Sequence, residues 1–315
     1  METKVVITID TEPDNQWDPA LRKSPQFNNI SELNKLQKLF DKFHASPTYL
    51  AAFSVVNDDT VSVLKDIAKS AHCEVGTHLH SWDTPPFSPP INGNGTYLHQ
   101  FDSFTQRQKM INIDGLITDV FGIKPRSYRG GRYSFDDNTV SLLAECGYYV
   151  DTSVTPYISW EDDGGTNFKK FSSKDYFLTV KEKMNILEVP VSIRIKTKLP
   201  RLSKFAYLNT PNWAHAQGIL RRIADFNIVW LDPSFNSFDD MRWLCDKLLA
   251  EKSGYINIMF HSSVIIPGGS PYTNNEQETK LFFQRLERLL DYLFSGCKLE
   301  SFTLNEFYRF RKDFN

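Results

Sequence analysis

With 315 residues and 41% hydrophobic side chains, the chain is long enough to bury a large core, and the sequence favours one α/β domain over residues 1–315. Its 36 basic and 38 acidic residues leave a formal charge of -2, which argues against a broad surface for nucleic acid or an anionic membrane. We therefore expect the partner to be a small or neutral molecule.

No targeting or membrane segment is apparent in the sequence. The start "METKVVITID" enters an apolar strand without a basic leader, and no apolar run approaches the roughly 18 residues of a membrane span. These features predict a cytoplasmic chain with no membrane span. The four cysteines lack CxxC spacing, which favours reduced thiols over a disulfide or a cysteine metal site.

Strand-like runs alternate with amphipathic stretches from the start of the chain. "KVVITID" precedes "SELNKLQKLFDKFH", whose apolar residues Leu33, Leu36, Phe40 and Phe43 recur at helical spacing behind a Ser31 cap. Three more strands, "TYLAAFS", "CEVGTHLH" and "RSYRG", each precede a helical stretch: "DDTVSVLKDIAKSA", "FTQRQKMINIDGLITDVFG" and "DDNTVSLLAECG". The order is that of repeated strand–helix units.

The second half continues in the same way, with strands "YYVDTSV", "LEVPVSIRI", "NIVWLDP", "YINIMFH" and "KLESFTL", and helices "SFDDMRWLCDKLLAEKSG" and "NEQETKLFFQRLERLLDYLFSG". This alternation predicts a parallel sheet, either open and doubly wound or closed into a (β/α) barrel. No GxGxxG or Walker A sequence supports nucleotide binding. The polar segments 80–100 and 156–180 are expected to be long functional loops.

Polar residues collect where the predicted strands end. In chain order they are Asp10, Glu12, Ser54, His78, His80, Arg129, Asp151, Asp232 and His261. In a (β/α) barrel these ends share one rim, where catalytic residues from different strands converge. Each residue alone has a structural explanation, such as a cap, a turn or a buried hydrogen bond, but their common position favours a site.

The segment "EVGTHLHSW" places two histidines two residues apart. On an extended segment such residues point to the same face, so His78 and His80 can address one metal ion while Leu79 turns into the packing. A zinc site commonly has three protein ligands and an open position. Asp10 and Glu12 in "TIDTEPD", also two apart, offer the carboxylate that would complete such a shell.

Taken in order, "TIDTEPD", "EVGTHLHSW", "SYRGGRYS", "GYYVDTS", "LEVPVS" and "MFHSSVIIPGGSPY" resemble the signature segments of the polysaccharide deacetylases, carbohydrate esterase family 4. The resemblance covers about residues 4–275 and is that of a divergent branch. It implies a distorted (β/α) barrel of the polysaccharide deacetylase type. It also implies one divalent metal ion, with Zn2+ favoured, and hydrolysis of an N-acetyl group on a sugar.

The resemblance also implies a role for individual residues. It makes Glu12 and His78 metal ligands and Asp10 the general base. It assigns Arg129 to the orientation of that base and Asp151 to a supporting role, and it makes His261 the general acid. Where the family has two adjacent aspartates, Thr11 intervenes here. Trp82 stands where a second histidine is usual. The second imidazole is therefore assigned to His80, with His99 as an alternative.

Substrate contacts are assigned to Trp82, Arg132 and Tyr133, and aromatic rings at the rim offer stacking faces for a sugar. The expected substrate is an acetylated glycan precursor or another acetylated small molecule. Two alternatives remain open. One is an amidohydrolase acting on a non-sugar amide of the ureide type, which an arginine near segment 156–180 would favour. The other is an inactive, metal-free barrel that binds glycan without hydrolysing it.

Overall fold

The strands and helices were located in a computed structural model, which describes residues 2–180, 184–210 and 216–313. The strands are β1 Lys4–Thr11, β2 Pro47–Ala52, β3 Glu74–Leu79, β4 Ser127–Gly130, β5 Val150–Asp151, β6 Tyr176–Val180, β7 Met184–Glu188, β8 Ile193–Lys196, β9 Asn227–Trp230, β10 Tyr255–His261 and β11 Glu300–Phe302. Most of them carry the apolar runs that the sequence analysis identified.

The α-helices are α1 Pro19–Lys23, α2 Asn28–Ser31, α3 Leu33–Lys42, α4 Phe53–Val56, α5 Val61–Ser70, α6 Ser103–Phe121, α7 Asp137–Cys146, α8 Pro200–Asn209, α9 Ala216–Ala224, α10 Phe238–Ala250, α11 Glu276–Leu290 and α12 Leu304–Asp313. Among the described residues, none of these helices is both long and apolar enough to cross a membrane. Short 3-10 turns follow β4 and β10, at the end of the sheet where the site lies.

The main sheet has the strand order β10-β1-β2-β3-β4-β5-β7-β6, and β11 pairs with the first residues of β1. All of its pairings are parallel except that of β6 with β7. The antiparallel ribbon β8–β9 closes the remaining gap, because Leu231 donates to the Ser192 carbonyl and accepts from the Met259 amide of β10. The result is the distorted (β/α) barrel that was predicted, not an open doubly wound sheet.

Burial explains why the central strands are apolar on both faces. Every residue of β1 is buried, as expected for a parallel strand covered by helices on one side and barrel interior on the other. Leu33, Leu36 and Phe40 of α3 lie in the main core, and Phe43 packs at its edge, so the predicted helical spacing is confirmed. Packing of this kind fixes the register that carries the polar strand ends to one rim.

One predicted strand proved to be two. "LEVPVSIRI" ends as β7 at Glu188 and resumes as β8 at Ile193, in a different sheet. Pro190 lies in the break, where its missing N–H cannot contribute to a sheet ladder. Its carbonyl instead accepts the Tyr255 hydroxyl at 2.9 Å. The chain crosses from one sheet to the other at this point.

Two further expectations need correction. Ser31 does not cap the long helix: it ends α2, and Glu32 precedes α3. Segment 156–180 is not loop throughout, because its last residues form β6 at the edge of the sheet. Helices α8 and α9 lie in a region for which the sequence analysis proposed no element.

Candidate active site

One cavity of about 520 Å³ opens at the carboxyl ends of the parallel strands. The strand register sets Asp10 of β1 beside His261 of β10, and His78 of β3 beside Arg129 of β4. Eight of the ten predicted site residues line the cavity: Asp10, Glu12, His78, His80, Trp82, Arg132, Tyr133 and His261. The other two, Arg129 and Asp151, are fully buried beside it.

Glu12, His78 and His80 form a compact group of buried donors. Each offers one ligand atom, and these atoms lie within 4.8 Å of one another. Oε2 of Glu12 is 3.1 Å from Nε2 of His80 and 3.6 Å from Nε2 of His78. Two imidazoles and one carboxylate are a donor set that suits Zn2+ in a three-ligand site. The residues present therefore fit one divalent ion.

Hydrogen bonding orients the two imidazoles. Nδ1 of His78 lies 3.1 Å from the Arg129 carbonyl oxygen, which can only accept, so Nδ1 carries the proton and Nε2 is left as the free ligand atom. Nδ1 of His80 faces Oδ2 of Asp83 at 3.7 Å, and Asp83 in turn accepts the Ser54 hydroxyl at 2.7 Å. Both rings thus present Nε2 to the Glu12 carboxylate.

The electrostatics of the group favour a cation. Burial acts to lower the pKa of His80, but Asp83 and Glu12 outweigh it and raise that pKa to about 9. Burial likewise acts to raise the pKa of Glu12, which His261, His78 and His80 nevertheless hold well below its usual value. A negative potential at imidazole nitrogens attracts a metal ion for the same reason that it attracts a proton.

Asp10 is held as a buried carboxylate by Arg129. Nη1 of Arg129 donates to Oδ1 of Asp10 at 2.6 Å, and the guanidinium also donates to the Thr8 hydroxyl and the Thr152 carbonyl oxygen. Burial alone would raise the pKa of Asp10, but the Arg129 charge, with help from His78 and His261, lowers it. Oδ2 of Asp10 makes no hydrogen bond within the described part of the chain and lies 3.9 Å from Nε2 of His78.

His261 lies beside Asp10 on the neighbouring strand β10, with its Nδ1 3.9 Å from Oδ2 of Asp10. Its Nδ1 lies 2.8 Å from Oε1 of Glu12, so one carboxylate addresses His261 with one oxygen and the two histidines of β3 with the other. Although burial acts to lower the pKa of His261, Glu12, Asp10 and Asp232 raise it. His261 is therefore suited to hold a proton at neutral pH.

Asp232 is a cavity residue to which the sequence analysis assigned no role. It follows β9, lines the cavity and accepts from the Ser234 amide and hydroxyl through Oδ1. Burial raises its pKa to about 6, against the effect of the Ser234 hydrogen bonds and the His261 charge. Its position at a strand end was the signal available in the sequence.

Asp151 lies behind the site rather than in it. Oδ1 accepts from Ser153, and burial raises the pKa of Asp151 to about 6. The contacts on Arg129 come instead from the next residue, because Thr152 offers both its carbonyl and its hydroxyl oxygen to the guanidinium. Any support of Arg129 by Asp151 is therefore indirect.

Two residues of the turn "RGGRY", Arg132 and Tyr133, line the cavity. Arg132 and Tyr133 both have positive φ, 53° and 59°, a left-handed conformation that is uncommon outside glycine and often marks functional turns. Arg132 donates to the Thr96 hydroxyl and to Asp163. The Tyr133 ring stacks on Trp160 with centroids 5.5 Å apart.

Aromatic rings surround the metal group. Trp82 stacks on His80 at 4.1 Å, and Trp17 packs edge-on against His261 at 4.8 Å. Both tryptophans line the cavity. His99, the alternative second imidazole, lies elsewhere: its Nε2 is 3.0 Å from the Gly164 carbonyl oxygen, and it is not a member of the donor group.

Gly131 makes room for His80, and its replacement by alanine is expected to weaken metal binding. A Cβ at this position would lie 2.6 Å from Cδ2 of His80 and 2.7 Å from the Leu79 carbonyl oxygen, so the ring must move. We expect Gly131→Ala to lower metal affinity about 10-fold to 100-fold, the usual cost of disturbing a ligand's support. Titration against a competing chelator measures this change.

The matched control is Gly115→Ala in α6, where an added Cβ meets no atom within 4 Å. It should leave metal affinity unchanged while circular dichroism shows both variants folded. Equal metal affinity in Gly131→Ala and the wild type would contradict the placement of His80 in the metal shell.

No family model matches the chain, and a search of curated protein sequences found no match. Solved structures do match over almost its whole length. A Mycobacterium smegmatis protein assigned to the polysaccharide deacetylases matches with a TM-score of 0.59 and 15% identity, over 98% of this chain and 90% of that chain. The PuuE allantoinase matches with a TM-score of 0.55 and 15% identity, over 98% of this chain and 89% of that chain.

A third structure, the 4-alpha-glucanotransferase of Thermococcus litoralis, matches with a TM-score of 0.53 and 13% identity, over 98% of this chain but 40% of that one. Identities this low establish the fold alone. Among these matches, the Mycobacterium smegmatis protein is the one whose description coincides with the resemblance seen in the sequence. The chain thus has the distorted (β/α) barrel of the polysaccharide deacetylases, the family that its sequence segments resemble.

Proposed function

We propose that the protein is a metal-dependent hydrolase that removes an N-acetyl group from a sugar or glycan precursor. The observation that carries the proposal is the adjacency of two units: a buried donor group of Glu12, His78 and His80, and a buried carboxylate, Asp10, ionised by Arg129. The barrel fold, shared with a protein assigned to the polysaccharide deacetylases, supports it.

Glu12, His78 and His80 are the residues that would hold one divalent ion, and their nitrogen and carboxylate donors favour Zn2+. Such an ion, when bound, supplies a Lewis acid that polarises the amide carbonyl and lowers the pKa of a neighbouring water molecule. The remaining chemistry belongs to side chains of this chain.

Asp10 is the proposed general base and His261 the proposed general acid. Oδ2 of Asp10 is free to take a proton from the attacking water, while Arg129 keeps the carboxylate ionised. Glu12 beside His261 raises the pKa of the imidazole, which would give a proton to the amine nitrogen as the C–N bond breaks. The products are acetate and a free amine. Positioned proton transfer of this kind is typically worth about 100-fold to 10,000-fold in rate.

A second candidate keeps the site and changes the substrate to a non-sugar amide of the ureide type. The fold match to an allantoinase favours it, as does Arg132, which reaches Asp163 in segment 156–180. The aromatic wall favours the sugar, because the Tyr133–Trp160 stack offers a flat face for a pyranose ring.

Metal content is the test of the proposed site. We expect about one divalent ion per chain in the wild type, lost in Glu12→Gln, His78→Ala and His80→Ala, and retained in the control His99→Ala. Elemental analysis of the purified proteins measures it. Acetate release from N-acetylated sugars, compared with hydrolysis of allantoin, then separates the two substrate classes. Wild-type protein that takes up no ion from excess zinc would refute the hydrolase and favour a barrel that only binds glycan.

A further inference from the structure

Two arginines face the mouth of the cavity. Arg22, on the short helix α1, and Arg132, in the turn after β4, both line it. The Arg22 guanidinium lies 4.8 Å from the centre of the Trp82 ring, the same ring that stacks on His80. The Trp82 ring thus contacts both the Arg22 cation and His80, a proposed metal ligand.

Gln16 fixes the position of Arg22 relative to Trp82. Its backbone carbonyl accepts Nε of Arg22 at 2.5 Å, and its side-chain oxygen accepts the indole N–H of Trp82 at 3.3 Å. Within the described residues, the two terminal nitrogens of Arg22 donate no hydrogen bond. The part of the guanidinium that binds carboxylates and phosphates in bidentate fashion is therefore available.

Among the described residues, the charge of Arg22 has no acidic partner in contact with it. No carboxylate of the described chain lies within 4.0 Å of it, and Arg132 is paired only with Asp163, whose side chain is 58% exposed. Burial and then the Arg132 charge lower the pKa of Arg22 against an opposing effect of Glu12, as expected when two guanidinium groups line one cavity. A solvent-exposed ion pair such as Arg132–Asp163 is weak, so Asp163 neutralises little of the Arg132 charge.

The acidic groups deeper in the cavity are already engaged. Asp10 is paired with Arg129, and Asp232 accepts hydrogen bonds from Ser234. Glu12 contacts three histidines, the two at positions 78 and 80 and the one at position 261. Within the described residues, Arg22 therefore has no contacting carboxylate to balance its charge, and Glu12, the carboxylate whose charge raises the pKa of that guanidinium from deeper in the cavity, is already shared by three histidines. A ligand with an anionic group would supply that balance.

We propose that Arg22 and Arg132 bind an anionic group, a phosphate or a carboxylate, on the substrate. The inference rests on the proposed deacetylase function and narrows its substrate to N-acetylated sugars that carry such a group close to the acetamide. In this arrangement the amide reaches the metal group and Asp10, the sugar ring lies along the Tyr133–Trp160 wall, and the anion remains at the entrance with the two guanidinium groups.

Binding is measured by calorimetry in an Asp10→Asn background, in which turnover during the titration is strongly reduced. The three ligands are N-acetylglucosamine, its 1-phosphate and N-acetylmuramic acid; in the two charged ligands the anionic group is carried on a ring carbon next to the one that bears the acetamide. We expect at least one charged ligand to bind about tenfold or more tightly than the neutral sugar, which is about 1.4 kcal/mol. Whether the phosphate or the carboxylate gains more identifies the anion. The gain should shrink at high salt, which screens charges at the cavity entrance.

Arg22→Gln and Arg132→Gln should each abolish most of the preference for the charged ligand. Arg22→Lys keeps the positive charge but lacks the planar guanidinium that binds an anion through two N–H groups, so it should lose part of the preference. The matched control is Arg201→Gln, an exposed arginine of α8. Thermal unfolding of each variant establishes that it is folded. Equal affinity for all three ligands, or a preference that survives Arg22→Gln, would overturn the inference.

Failure of the two proposals can be told apart. If a charged ligand binds with an arginine-dependent preference but the wild type releases acetate from none of the three, the anion site stands and the deacetylase function fails. If acetate is released equally well from neutral and charged sugars and the arginine variants bind them alike, the function stands and the anion site is refuted.

Discussion

Asp10→Asn is expected to reduce turnover about 100-fold to 10,000-fold while leaving the metal content unchanged. Asparagine keeps the shape of the side chain and can still accept from Arg129, but its amide does not take a proton from water. Asp10 is not a member of the Glu12–His78–His80 group, so the donors of the metal remain. Acetate release and elemental analysis on the same preparation measure both quantities.

The matched control is Asp239→Asn, an exposed carboxylate at the start of α10, which should retain wild-type activity. Unchanged turnover in Asp10→Asn would show that another group accepts the proton. Loss of the metal together with activity would instead make Asp10 a ligand, a role that its 3.9 Å distance from Nε2 of His78 makes worth testing.

Arg129→Met is expected to lower the free energy of unfolding by about 3 to 5 kcal/mol, the usual cost of leaving one partner of a buried ion pair uncompensated. The Arg129 and Asp10 side chains are 0% and 2% exposed, so water cannot replace the lost contact. The hydroxyl of Thr8 and the carbonyl of Thr152 also lose a donor. Urea unfolding at a fixed metal concentration measures the change.

A second substitution separates the ion pair from packing. Because Asp10→Asn removes the uncompensated charge, the double variant Arg129→Met/Asp10→Asn should recover part of the loss, giving a coupling energy in a double-mutant cycle. Arg242→Met, on the exposed face of α10, is the control and should change stability by no more than about 0.5 kcal/mol. A loss below about 1 kcal/mol in Arg129→Met would contradict an ionised Asp10.

The main features of the site could be predicted because strands impose simple geometry. A period of two puts His78 and His80 on one face and Leu79, now in the core, on the other. The same period explains why Thr11 does not disrupt the site: Asp10 and Glu12 both face the cavity across it. Parallel pairing then brings ends that are far apart in sequence to a common rim.

What the sequence did not reveal depends on contacts that have no local pattern. Asp83 faces His80 from a loop, and Ser54 in α4 in turn donates to Asp83, yet neither spacing nor composition relates the three residues. Arg22 belongs to a five-residue helix with no apolar periodicity. The crossing at Pro190 was missed although a proline inside a strand run is a signal of a break, because the valines and isoleucines on both sides of it resemble one continuous strand.

The pairing of β1 has a consequence for how the protein folds. β1 lies between β2 and β10 and also pairs with β11. A strand that begins at Lys4 therefore completes its pairing only with strands beyond residue 250. Glu12 and His261, 249 positions apart, meet only when that pairing forms. Contacts of such high sequence separation are slow to form because the loop-closure entropy must be overcome first. During synthesis the active site would therefore be among the last parts of the barrel to assemble.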